Sequence, residues 1–463
     1  MTFPCYPEYR ESGVEWLGEV PKHWCSVPIK YMALERKSLF LDGDWIESKD
    51  ISSEGIRYIT TGNVGEGVYK EQGAGFISEE TFHSLSCTEV HEGDVLISRL
   101  NNPIGRACVA PDLGGRVVTS VDNVIFRPDS KYHKKFIVYL FSSEEYFKHT
   151  GNLARGATMQ RISRGLLGNI RVVTPSLTEQ TQIARFLDYE TARIHALIEE
   201  QQRLIELLKE KRQALISQAV TKGLNPTMPM KDSGVEWLGE VPAHWKVKQL
   251  KHVVDPSTSI TYGIVQAGPE FEGGIPYIRT SDMSGEELPV SGYPLTSPDI
   301  DESYARSRVR PGDIVMSIRA SVGKCLPVPN ELKIANLTQG TAKISVGKQI
   351  TRNFLLAFLN AEATQNYFDL MAKGATFKEI TLDALRRTPV PLPPENEQIQ
   401  IDQFVSRHAG LLDETCKQAI ESISLLQERR TALISAAVTG KIDVRGWQPP
   451  VSKPSPELAQ EAV

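Results

Sequence analysis

Ser12–Trp24 reads SGVEWLGEVPKHW, and Ser233–Trp245 reads SGVEWLGEVPAHW; only Lys22 against Ala243 differs. The two copies begin 221 positions apart. Internal periods of 20 to 50 residues indicate solenoids. A period near 220 is instead the size of a domain with an appendage. Val14, Trp16, Leu17, Val20 and Trp24 supply apolar points, and Gly18 and Pro21 break the chain between them. The segment therefore reads as a packing element that seats each module on something both modules share. His23 and His244 are lone histidines, each beside a tryptophan and outside any recognised metal-ligand motif, so no metal role is expected for them.

The echoes continue through the chain. GIRYITTGNV (Gly55–Val64) returns as GIPYIRTSDM (Gly274–Met283), and VHEGDVLISRL (Val90–Leu100) as VRPGDIVMSIR (Val309–Arg319). RGATMQRI (Arg155–Ile162) returns as KGATFKEI (Lys373–Ile380), and EQTQIARFL (Glu179–Leu187) as EQIQIDQFV (Glu397–Val405). KRQALISQAVTKG (Lys211–Gly223) returns as RRTALISAAVTGK (Arg429–Lys441). The offset drifts only from 221 to 219 to 218, while the stretches between the echoes diverge. A shared framework with a divergent interior is what a duplicated scaffold with two different binding surfaces would show.

Each module reads as a mixed domain followed by a long helix. Short β-type runs at Arg57–Thr60, Asp94–Ser98, Arg116–Val121 and Asn123–Phe126 are separated by Gly and Asn. TPSLTEQ then opens a helix, with Pro175 before it, Ser176 or Thr178 as cap and Glu179 in the first turn. PLPPENEQ repeats the device before Ile399. Leu187, Ile194, Gln201, Leu208 and Leu215 fall seven apart, with Ile198, Ile205 and Ala219 four further on. The second helix matches with Val405, Leu412, Ala419, Leu426 and Leu433, plus Ala409, Cys416, Ile423 and Ala437. Such a seam predicts a coiled coil between the two helices; the alternative is one stripe buried in each domain's own core. Gln201 and Arg430 interrupt the seam and are candidates for setting register.

Residues 183–220 in helix would span about 57 Å. The connection from Val220 to Lys231 reaches at most ~35 Å. The second mixed domain is thus expected near the far end of the first helix, giving two heads on an antiparallel helical spacer with a pseudo-twofold internal repeat. The expected organisation is α+β: a first mixed α/β domain over 1–175, a helix and linker over 176–231, a second mixed domain over 232–392, a helix over 393–441 and a disordered tail over 442–463. Pro449, Pro450, Pro454 and Pro456 motivate the last expectation.

With 463 residues, a chain of several domains is expected. Six scattered cysteines without a C-x-x-C pair argue for a reducing, cytoplasmic setting. No apolar run of membrane-spanning length occurs, and MTFPCYPEYRESG lacks the pattern of a secretory signal. Net charge is −5, so a nucleic-acid site must be a local basic surface.

Such surfaces are legible. Tyr146 to Thr178 contains no acid but holds Lys148, Arg155, Arg161, Arg164 and Arg171, with Asn152, Thr158 and Gln160. Lys and Arg supply affinity for phosphates, while Arg, Asn and Gln read base edges at two points. SRLNNPIGR (Ser98–Arg106) adds Arg99, Asn101, Asn102 and Arg106. In the second module the candidates are Arg279, Arg306, Arg308, Arg310, Arg319, Lys324, Lys373, Thr376 and Lys378. Catalytic signatures are missing: no P-loop, no G-x-S-x-G, no H-E-x-x-H, no N-P-P-aromatic of amino-methyltransferases. A nuclease-like set can be forced from Pro298, Asp299, Glu331 and Lys333, and a coiled-coil scaffold binding only protein is a third reading.

On the doubled opening segment, GDVLISR and GDIVMSI, the paired G-A-T segments and P-x-x-x-E-Q-x-x-I before each helix, the chain resembles the specificity subunit of type I restriction-modification systems. The resemblance covers essentially the whole chain. It implies that each head is a target recognition domain reading one half of a split, asymmetric DNA site, and that the helices form a ruler between the halves. It further implies two docked modification subunits that use S-adenosylmethionine to methylate adenine N6. Two restriction subunits, translocating on ATP and Mg²⁺, would complete the assembly. No catalytic residue, metal or cofactor is implied on this chain itself. Two readers on one strut would place half-sites about one helical turn, ~34 Å, apart.

Overall fold

The computed structural model describes residues 3–33, 40–72, 75–100, 103–374 and 378–450. The doubled segment folds the same way twice. Tyr9–Glu11 pairs antiparallel with Glu19–Pro21, and Met230–Asp232 with Glu240–Pro242. Ser12 and Ser233 turn the two hairpins, their Oγ atoms accepting from Val14 N at 3.0 Å and Val235 N at 3.1 Å. Trp24 and Trp245 follow, and both are fully buried.

Next, a short strand from the start of each head pairs with one from its end: Cys25–Pro28 with Arg171–Thr174, and Lys246–Gln249 with Pro389–Leu392. This pairing closes the head and aims the chain into the long helix. Between these strands lies an antiparallel four-stranded sheet. In the first head its order is Phe40–Asp42, Asn123–Phe126, Val95–Ser98, Ala107–Val109; in the second, Thr261–Tyr262, Thr341–Ile344, Ile314–Ser317, Cys325–Pro327. The central strands VLIS and IVMS are buried at every position. Their near-continuous apolar sequence suits a strand covered on both faces. A second sheet, of four strands in the first head and three in the second, holds a parallel pair in each: Val117–Thr119 with Ile56–Ile59, and Asn336–Leu337 with Ile275–Ile278.

The long helices are Leu177–Lys222 and Glu395–Val438, of 46 and 44 residues. The first, about 69 Å at the usual rise, exceeds the expected span. Ser176 rather than Thr178 caps it, its Oγ accepting from Glu179 N at 3.4 Å. Two compact units divide the chain: residues 1–201 with 421–463, and residues 202–420. In the first unit, Leu187 and Ile194 share a core with Leu433, Ile434 and Ala437, with Ile198 and Leu426 packed against it. In the second, Ala219, Val220 and Ile401 share a core on which Val405 packs, and Arg212 pairs with Asp413 at 2.8 Å. Within each unit the helices therefore run antiparallel. Burial follows the heptads: Ala409, Ala419, Leu433 and Ala437 are buried, and Ile205, Leu208, Leu215, Leu412 and Ile423 are half-buried, whereas Leu411 and Leu425 between them are exposed. This is the coiled coil expected from the spacing. Among the described residues no helix is long and apolar enough to cross a membrane.

A carboxylate at the first turn of each long helix holds the doubled segment. Glu179 accepts from Trp24 Nε1 at 3.0 Å and faces His23 Nε2 at 2.8 Å. Glu397 accepts from Trp245 Nε1 at 2.8 Å and faces His244 Nε2 at 2.7 Å. The next residue is glutamine in both helices. Gln180 Oε1 accepts from His133 N at 2.8 Å, and Gln398 Oε1 from Thr351 N at 2.7 Å. The packing role read for the segment is thus carried by its H-W dipeptide as well as by its apolar points.

The tail departs from expectation. Val444 is buried, and Trp447 packs on Phe186 with ring centroids 5.2 Å apart. Gln182 Nε2 donates to Val444 O at 3.1 Å and Trp447 O at 2.6 Å, while Asp443 N donates to Pro4 O at 2.7 Å. Residues 443–447 therefore form a packed strap, because Val444 and Trp447 supply apolar anchors that the following prolines mask in composition. Residues 451–463, with Pro454 and Pro456, lie outside the described residues. The start of the second module also moves, from 232 to the strand at Met230.

Glu397→Ala leaves the Trp245 indole N–H without its acceptor, and the lost charge-assisted bonds are expected to cost about 1.5–3 kcal/mol. Chemical denaturation of the full chain checks this, with Glu397→Gln losing less because it keeps an acceptor.

Candidate nucleic-acid interface

In each head the buried central strand ends where a short hairpin is attached. Arg155 and Arg161 exchange backbone hydrogen bonds at 3.0 and 2.9 Å, and Ile162 N donates to Arg99 O at 3.0 Å. Lys373 and Glu379 exchange bonds at 2.9 and 2.9 Å, and Ile380 N donates to Ile318 O at 3.0 Å. These hairpins are the repeated G-A-T segments. Gly156 has φ +117°, and a Cβ there would stand 2.3 Å from Met159 O. Only glycine closes so tight a turn, and Gly374, at φ +114°, shares the left-handed φ. Residues 156–160 are all exposed. Thr376 lies outside the described residues, as do Asn101 and Asn102.

The candidate cations divide by burial. Arg99 is 5% exposed, pairs with Asp42 at 3.0 Å and donates to Val121 O and Ile162 O. Burial pulls its guanidinium below the usual arginine range, against the pull of Asp42. Arg106 donates to the carbonyls of Val64 at 2.7 Å, Thr61 at 2.8 Å, Leu100 at 3.0 Å and Pro103 at 3.3 Å. Both are corrections to the sequence expectation: their terminal nitrogens are engaged inside the head, where an unpaired guanidinium would be prohibitively costly. They hold the loops that carry the surface instead of lining it.

Arg161 and Arg164 are placed differently. Arg161 pairs with Asp122 at 2.7 Å and Arg164 with Asp42 at 3.5 Å, and each keeps a substantial part of its side chain in solvent. A guanidinium has five N–H donors in a rigid fork. Each is tied to a carboxylate at one nitrogen and is still part exposed, which leaves donors for a phosphate or a guanine edge. Arg155, Thr158 and Gln160 are exposed on the same hairpin.

In the second head, Arg319 pairs with Glu379 at 3.0 Å and Lys378 with Asp369 at 3.4 Å. Arg279 is held by Asp282 at 2.9 Å, and Arg308 by both Asp301 and Glu302. The paired carboxylates hold the Arg279 and Arg308 guanidinium groups above their ordinary range. Lys324 Nζ donates to Ser284 O at 2.9 Å. Arg306, Arg310 and Lys373 stand exposed. The carboxylates that aim these side chains escaped the sequence reading. In the first head, Asp42 in LDGDW and Asp122 in SVDNV lie outside the acid-free tract, and only the fold brings them to it.

Asp299, Glu331 and Lys333, the forced nuclease set, are exposed. No group of three or more His, Cys, Asp or Glu is gathered for a metal ion among the described residues.

A family model described as the type I restriction modification DNA specificity domain matches residues 38–207 and 242–424. The chain is 26% identical over 327 residues to the specificity subunit of the type I restriction enzyme EcoBI of Escherichia coli, covering 69% of this chain and 68% of that one. It is 23% identical over 329 residues to the MjaVIII specificity subunit of Methanocaldococcus jannaschii, covering 66% and 71%. Two solved structures share the fold. One, from work on complex assembly and conformational transition of the type I R-M system, has TM-score 0.68 at 19% identity, covering 90% of this chain and 98% of that one. The other, the HsdS subunit of Thermoanaerobacter tengcongensis, has TM-score 0.55 at 19% identity, covering 91% and 98%.

The two classes of arginine make opposite demands. Arg106→Met strands several inward-facing carbonyls and is expected to destabilise the first head by about 3 kcal/mol or more. Arg155→Ala is expected to change stability by no more than about 0.5 kcal/mol. Denaturant unfolding of the two variants side by side decides the assignment.

Proposed function

Because the chain belongs to the family of type I restriction-modification DNA specificity domains, whose members recognise DNA sequence and do no catalysis, we propose that its two heads read the two halves of one split, asymmetric duplex site. The observation that carries this reading is the hairpin at the end of the central strand, built twice on one frame and furnished differently each time. In the first head the frame presents Arg161 on Asp122; in the second it presents Arg319 on Glu379. Identical frames meet the same sugar-phosphate backbone, and different side chains meet different base edges.

In this reading Arg155, Thr158, Gln160, Arg161 and Arg164 serve the first half-site. Arg306, Arg319, Lys373 and Lys378 serve the second. The paired helices set the number of unread bases between the halves. Two modification subunits, carrying S-adenosylmethionine, dock on the specificity subunit, and restriction subunits with ATP and Mg²⁺ join through them. No residue described above is assigned to any of those ligands.

The test is selection from a randomised duplex pool by the full-length chain, purified with whatever methyltransferase subunits it retains. Two short enriched blocks at a fixed separation are expected; uniform retention of all sequences would refute the reading. Arg161→Ala is expected to lose about 1–3 kcal/mol of discrimination at one position in one block only. Removing one heptad from each helix shortens both by about 10 Å. At roughly 3.4 Å per base pair, the gap is expected to narrow by about three base pairs. An unchanged gap in the re-selected motif would dismiss the ruler.

A further inference from the structure

Each head carries a second device beside the cations, and it is apolar. Asp44 forms a parallel bridge to Ser120, and Ile264 forms the equivalent bridge to Thr338. The residue before each is a glycine pressed against the crossing chain. A Cβ on Gly43 would stand 2.3 Å from Ser120 O, and one on Gly263 would stand 1.9 Å from Leu337 O. No other residue tolerates that approach. The crossing is locked by Val121 N donating to Asp44 O at 2.8 Å and Gln339 N to Ile264 O at 3.0 Å. The next residue in each head is then pushed into solvent: Trp45 is 64% exposed and Val265 is 49% exposed.

A single exposed apolar side chain needs no explanation. The same backbone device presenting one in each head, next to the cations, does. Trp45 lies three residues from Asp42, which holds Arg99 and Arg164. Its neighbour Asp44 is bonded to Val121, beside the Asp122 that holds Arg161. In the second head the chain opposite Val265 continues to Gly340, whose carbonyl accepts from Ile318 N at 2.9 Å, beside Arg319. The Trp45 indole N–H is already occupied by Glu47 Oε1 at 3.2 Å, so the ring offers apolar surface rather than a donor.

A surface that combines outward guanidinium groups with an apolar projection suits the major groove. The thymine C5-methyl is the apolar group that duplex DNA displays there. Resting on the DNA-reading role proposed above, we propose that Trp45 and Val265 are specificity-determining residues, each making an apolar contact with a thymine methyl in its own head's half-site.

The experiment uses the same selection, with wild-type chain, Trp45→Ala and Val265→Ser. Trp45→Ala is expected to relax one thymine-containing position in one block and to leave the other block intact, which also reports that the variant is folded. Val265→Ser is expected to do the converse. Replacing that thymine by uracil in the wild-type motif should weaken wild-type binding about fourfold, the worth of one buried methyl-sized group, and leave the variant's binding unchanged. A wild-type motif that both variants retain unaltered overturns this inference alone. Relaxation confined to a position without thymine also overturns it. A wild-type pool with no enriched motif overturns the underlying reading and this inference together.

Discussion

Glu179 and Glu397 sit where three demands meet. Each lies in the first turn of a helix of more than forty residues, where a negative charge faces the positive end of the helix dipole. Each receives the N–H of a fully buried tryptophan, whose burial is tolerable only because that donor is satisfied. Each also faces an imidazole. In the first unit Tyr6 adds its hydroxyl at 2.8 Å, and burial together with the Glu179 charge pushes that phenol well above its ordinary range. Glutamine at the following position binds the body of the head to the same turn. The orientation of head on helix is therefore set by polar bonds as well as by apolar packing. The opening segment is spelled twice because its partner, a Glu-Gln pair at a helix start, occurs twice.

From that joint the remaining architecture follows by burial. Apolar positions at heptad spacing leave a stripe on each helix, and within each unit the stripes meet. The ends of the fully covered central strands accept backbone bonds from a hairpin that follows much later in sequence, at Ile162 and Ile380. In the first head the hairpin is thereby held by the core while its tip, residues 156–160, is exposed. Such a tip can vary in chemistry without cost to the fold.

Desolvation sorts the arginines that composition cannot. Arg99 and Arg161 are both basic residues of the first head, and both have a carboxylate partner. Arg99 is enclosed and gives both terminal nitrogens to carbonyls; Arg161 keeps part of its side chain in water. A charge enclosed in this way contributes to holding loops together, and only the charge with a free face can contribute to an interface. The rule that separates them is the price of burying an unpaired guanidinium, and it operates through neighbours that lie far away in sequence.

The repeat, the two long helices and four strands of the first head were legible in the chain, because periodicity and turn chemistry are local and survive in the order of residues. Most of the seam was legible for the same reason. The division of cations into internal braces and outward contacts was not, nor were the role of Asp42 and Asp122, the strap through Trp447, or the exposure of Trp45. Each of these depends on which segments the fold brings together. Gly43 carries no signal until the chain crosses it at Ser120, and Trp447 reads as part of a proline-rich tail until Phe186 lies beneath it. Sequence alone determined what kind of molecule this is; tertiary structure decided which side chains remain available to a partner, because exposure and charge pairing are properties of the assembled surface.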